Sequence, residues 1–118
     1  MSSKVYCLAQ FRAKPGQQDA LFRVLQALEP DTLREDGCVQ YTVTRMVESE
    51  FAGGTSDYPI VFNEIWANHD VFAAHCQRSA IQQFFEQQCL AEDGLAEAWN
   101  VTVYSDEPNN FDAPKLGG

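Results

Sequence analysis

The sequence predicts an α+β fold, one four-stranded antiparallel sheet with helices on one of its faces. Three observations predict it. Apolar residues recur at period two in three short stretches, a further short stretch at 60–66 is almost wholly apolar, and helical spacing fills the intervals after the first and third of the four. A length of 118 residues suffices for one core of ordinary size but not for two. The resulting order of strand, helix, strand, strand, helices, strand is that of the split βαβ, or ferredoxin-like, arrangement.

Residues 5–11 form the first expected strand, with Val5, Cys7, Ala9 and Phe11 alternating with Tyr6, Leu8 and Gln10. Pro15-Gly16 marks a turn, and from Gln17 the period changes. Ala20, Leu21, Val24, Leu25 and Leu28 then make one apolar stripe against polar Gln18, Asp19, Arg23 and Gln26, the pattern of a surface helix packed on a sheet. Pro30 cannot donate a backbone hydrogen bond, so a kink is expected there, with a last short turn at 33–35 and Gly37 as terminator. The second strand spans 39 to about 47, with Val39, Tyr41 and Val43 on one face and Gln40, Thr42 and Thr44 on the other.

Residues 48–59 carry Gly53-Gly54, Ser56, Asp57 and Pro59 and read as a hairpin-like loop. The third strand, Ile60–Trp66, is almost wholly apolar, which implies cover on both faces. Asn68 suits the cap of a helix starting at His69, and Ser79 the cap of a second helical piece bearing Ile81, Phe84 and Phe85. Gly94 closes that region and 98–104 form the fourth strand, with Trp99, Val101 and Val103 opposite Asn100, Thr102 and Tyr104. The domain is thus assigned to 1–104, and 105–118 to an irregular polar tail in which Phe111 could pack on a neighbouring subunit.

Eight basic against 17 acidic residues give a formal charge of -9, which repels phosphate backbones and anionic lipid. Neither nucleic acid nor a membrane is therefore an expected partner. No apolar run reaches the length of a membrane span, and the N-terminus lacks a signal-peptide core, so a cytoplasmic location is expected. Cys7, Cys38, Cys76 and Cys89 include no CxxC pair and are expected to be unbridged thiols.

Helices can cover one face of a four-stranded sheet. The other face carries Tyr, Leu, Thr and Gln rather than Lys and Glu, so a second copy is the expected cover, in a homodimer closed by two sheets about a two-fold axis.

Chemistry concentrates at Asn63-Glu64-Ile65-Trp66, followed nine residues later by His75 on the next helix. His75 is the natural candidate base, since its ordinary pKa lies near neutrality. Glu64 sits among apolar residues, where burial would raise its pKa unless a partner such as Arg45 held the anion. Trp66 is a candidate aromatic wall, with Tyr41, Phe72, Phe84 and Phe11 shaping a substrate pocket. His69 and His75 are six residues apart, about 120° around a helix, which does not suit a chelating pair, so no metal is expected.

Glu64-x-Trp66, Asn68, Phe72, Ala74-His75, Ser79-Ala80 and Phe84, with Gly37-Cys38-x-x-Tyr41 and the Lys14-Pro15-Gly16 turn, resemble the antibiotic biosynthesis monooxygenase family, and most nearly its quinol monooxygenase subgroup. The resemblance implies a dimeric α/β barrel of ferredoxin-like subunits. It also implies oxidation of a quinol or anthrone by molecular oxygen without flavin, haem or metal. Asn63 and Trp66 match positions where some anthrone oxygenases of the family contact substrate, although strand alternation puts the two on opposite faces. The haem-degrading branch carries its axial histidine where this chain reads Gln82-Gln83-Phe84-Phe85-Glu86, so haem is not expected. A cofactor-free isomerase and a non-catalytic small-molecule-binding or stress-response domain are the alternatives on the same scaffold.

Overall fold

The structure is a computed structural model and describes residues 3–107. Its elements are β1 (Val5–Ala13), α1 (Gln18–Gln26), α2 (Glu29–Leu33), β2 (Cys38–Arg45), β3 (Ile60–Trp66), α3 (His69–Cys76), α4 (Ser79–Phe84), a π-helical stretch (Phe85–Leu90) and β4 (Ala96–Ser105). The strands lie in the order β2-β3-β1-β4, each neighbouring pair antiparallel. The fold is the expected ferredoxin-like α+β sandwich. The last residues of the tail, with Phe111, lie outside the described residues.

Alternation puts Val5, Cys7, Ala9 and Phe11 of β1 and Ile60, Phe62, Glu64 and Trp66 of β3 on the helix side, all buried. Leu21 and Leu25 come down on them from α1. Burying a side chain such as Phe11, Phe62 or Trp66 contributes about 2–3 kcal/mol. Among the described residues no α-helix exceeds nine residues, too few to be stable alone, so packing on the sheet holds the helices rather than propensity. On the other face Leu8, Val61, Asn63 and Ile65 remain half-buried in the single chain.

Three local expectations are corrected. Val39 is exposed rather than on the core side with Tyr41: Cys38 pairs with Trp66 and Gln40 with Ile65, so a bulge at Val39 absorbs one residue and Cys38 takes the inward place. The helical break precedes Pro30, between Gln26 and Glu29, and Pro30 sits in the first turn of α2, where no amide hydrogen bond is required of it. Ser79 caps nothing; it is the first residue of α4, and its Oγ accepts from Gln83 Nε2 at 3.2 Å. Asn68 does cap α3, accepting from the Val71 amide at 3.0 Å.

Candidate active site

Small side chains in the middle of the sheet leave the space for a site. Across the helix side, Cys7, Glu64 and Tyr41 are direct neighbours on β1, β3 and β2, and Ala9 and Phe62 follow in the next row. Above Cys7 and Ala9 the helices do not reach the sheet. The cavity there has a volume of about 60 Å³, and its outer part is open to solvent. Leu25 and Leu28 wall it from the α1 side, Phe72, His75 and Cys76 from α3, and Ile81, Phe84 and Phe85 from α4 and the π-helical stretch. Phe11 stands edge-on to Phe84, centroids 5.5 Å apart. Val101 of β4 closes the rim while itself partly exposed.

Glu64 and His75 both face this apolar space. Glu64 Oε1 accepts from Trp66 Nε1 at 3.0 Å, and the Cys7 thiol donates to the same carboxyl. Burial outweighs both bonds and pushes the Glu64 pKa up to about 7. The expected partner Arg45 is elsewhere: on the surface it bonds Asp19 at 2.9 Å and lies over the Phe22 ring at 4.4 Å, because β2 presents it near the sheet edge, opposite Ile60. His75 is buried, its ring 4.5 Å from that of Trp66 and 5.2 Å from that of Tyr41. Its Nδ1 lies 3.0 Å from Glu35 Oε2, which also accepts from Arg78 Nη1 at 2.6 Å. Burial lowers the His75 pKa, partly opposed by the bond to and charge of Glu35 and reinforced by Arg78.

Of the residues singled out in the sequence, His75, Glu64, Tyr41, Phe72, Phe84 and Phe11 line the cavity together. Trp66 stands behind the lining, fully buried, and reaches the site through His75 and Glu64. Asn63 is not in the cavity: it points to the open face, where its Nδ2 donates to Thr44 Oγ1 at 3.0 Å, as period-two alternation from Glu64 requires. Glu35, Arg78, Cys7 and Ala9 carry parts of the site that the sequence did not single out. For Cys7 and Ala9 the small residues at alternate inward positions of β1 were the available signal.

The chain is thus a ferredoxin-like domain with an apolar cavity between sheet and helices, floored by a carboxyl and walled by a buried histidine. The chain belongs to the antibiotic biosynthesis monooxygenase family, whose sequence profile matches residues 4–87. It is similar to a protein of known structure from Shewanella oneidensis, at 31% identity over 89% of this chain and 92% of that one, with a TM-score of 0.71. It shares its fold with a Pseudomonas aeruginosa protein, at 21% identity over 89% and 95% of the two chains and a TM-score of 0.69. The same holds for a dabb family protein with a ferredoxin-like fold from Mesorhizobium loti, at 12% identity over 87% and 96% and a TM-score of 0.65. No curated protein matches the chain at a significant level.

Proposed function

We propose that this protein is a monooxygenase of a small phenol, quinol or anthrone, using molecular oxygen without a resident cofactor and acting as a homodimer. The observation that carries the reading is the placement of His75 and Glu64 on one apolar cavity, a base whose pKa burial lowers and a carboxyl whose pKa burial raises to about 7. Family membership supports it.

The chemistry asked of the chain is modest. His75 takes the hydroxyl proton of the substrate, and protonated Glu64 donates a hydrogen bond to the oxyanion, a role open to a carboxyl whose pKa burial has raised. The anion gives one electron to oxygen, the two radicals join at a ring carbon that bears hydrogen, and the peroxide so formed takes back the proton held by His75 to become a hydroperoxide. Loss of water from it leaves a carbonyl, so one oxygen atom enters the product and the other leaves as water. An apolar surround keeps the anion from being quenched by solvent before it meets oxygen.

For the dimer, the support is the half-buried row Leu8, Val61 and Ile65 on the face the helices leave open. Pairing of these faces about a two-fold axis would remove that surface from water. The four unbridged thiols suit a reducing compartment such as the cytoplasm. Among the described residues no helix is long and apolar enough to cross a membrane.

The test is oxygen uptake by purified protein with a panel of quinols and anthrones. The expected result is uptake well above autoxidation that falls about 100-fold or more in His75→Gln, the usual scale for loss of a general base. Uptake equal to autoxidation across the panel, or unchanged by that substitution, contradicts the reading.

A further inference from the structure

We infer that Glu35 is a positioning residue for His75: it holds the proton of the neutral imidazole on Nδ1 and so leaves Nε2 as the basic atom at the cavity. The inference rests on the reading of His75 as the base, and it concerns a residue forty positions away on another element.

Glu35 lies in the turn between α2 and β2, and its side chain is mostly enclosed. One oxygen, Oε2, faces both His75 Nδ1 at 3.0 Å and Arg78 Nη1 at 2.6 Å. A carboxylate paired with a guanidinium has only lone pairs to offer, so the neutral ring can bond it only as an Nδ1–H donor. The free imidazole has no such constraint. The ring cannot turn away, since the rings of Trp66 and Tyr41 flank it. Among the described residues no enclosed side-chain nitrogen or oxygen lacks a partner, and the His75 bond is made by Nδ1. Nε2 has no hydrogen-bond partner among the described residues, and His75 is one of the residues that line the cavity.

The turn itself is built to keep Glu35 there. Gly37 has φ +80° and packs so closely on α3 that a Cβ would come within 2.7 Å of Val71 Cγ2. The Gly37 carbonyl accepts from the Ala67 amide at 2.8 Å, and the Glu35 carbonyl from the Cys38 amide at 3.2 Å. When Nε2 takes a proton, Glu35 then faces an imidazolium through a bond already formed, so no group has to reorganise. The remaining titratable groups around the cavity are Glu64 from β3, Tyr41 from β2, Cys7 from β1 and Cys76 from α3.

The chain has two histidines, so nitrogen-15 NMR of histidine-labelled protein can assign each ring with a His69→Gln variant as reference. Wild type is expected to show His75 neutral near pH 7.5 with its proton on Nδ1. In Glu35→Gln and Glu35→Ala the Nε2–H form should become populated and the His75 pKa should fall further, while the acid limb of the rate profile moves with it and kcat drops about 10- to 100-fold. Arg78→Gln should keep the wild-type tautomer. A wild-type ring protonated on Nε2, or an unchanged tautomer in both Glu35 variants, overturns the inference. The spectrum needs no substrate, so it decides the role of Glu35 even where oxygen uptake fails.

Discussion

At the scale of single residues, Glu64 makes the most direct demand on pH. Its pKa rises from 4.5 in the unfolded chain to about 7 in the fold. The folded state therefore favours the neutral acid, and the associated stability is fully present below 4.5 and lost as pH rises through about 7. That difference corresponds to about 3 kcal/mol. Urea unfolding should accordingly show wild type losing about 3 kcal/mol relative to Glu64→Gln between about pH 4.5 and pH 8; a constant difference would refute the environment described for Glu64. His75 has the opposite sign: its lowered pKa gives stability that is present above 6.5 and lost as pH falls through the folded value.

Under the proposed mechanism the same two groups set the pH dependence of turnover. The working form has His75 neutral and Glu64 protonated, so kcat/KM should rise as pH climbs past the lowered histidine value and fall again near 7. Glu64→Gln keeps a donor that cannot ionise, and should lose the alkaline limb while retaining the acid one. His75 and Glu64 were legible in the sequence, as a histidine in an apolar helix and a carboxyl in an apolar strand. Their partners were not. Glu35 meets His75 only through a turn that Gly37 presses onto α3, and nothing in local periodicity reports such a contact.

Among elements, β1 and the turn before β2 do most to create the site. Ala9 sits in the central strand under the cavity, beside Phe62. Ala9→Leu should fill the space, lowering substrate turnover at least 10-fold at an overpacking cost of about 1–3 kcal/mol or less. A bound-state structure or a titration with an aromatic ligand checks it, and unchanged affinity would place the substrate elsewhere. Gly37→Ala should cost about 2–3 kcal/mol, from its positive φ and from the approach to Val71, and thermal unfolding measures it. Three of the strands were readable because one buried face imposes alternation, and β3 because a short, almost wholly apolar run suits a strand covered on both faces. The bulge at Val39 was not, because an inserted residue shows only against the partner strand, where Cys38 and Gln40 face Trp66 and Ile65. Nor was the π-helical stretch, which brings Phe85 to the cavity as well as Phe84.

For the whole molecule, two uncovered surfaces carry the case for a second copy. One is the open sheet face with Leu8, Val61 and Ile65; the other is the helix side of β4, where Trp99, Val101 and Val103 remain exposed. Sedimentation should give twice the 13.2 kDa chain mass, and Leu8→Lys with Ile65→Lys should give monomers that remain folded. A wild-type monomer at micromolar concentration would leave those surfaces unexplained. The overall layering was legible because the order of elements admits few alternatives, whereas the cavity depends on which inward side chains are small.

On the proposed function, the cavity strips a proton from a bound phenol. The most direct measurement of this step is the anaerobic absorption spectrum of a quinol or anthrone mixed with excess protein near neutral pH, without oxygen to consume the anion. Wild type should give the red-shifted band of the oxyanion, and His75→Gln should lose it. A substrate that binds wild type and keeps the spectrum of the neutral phenol would contradict the proposal.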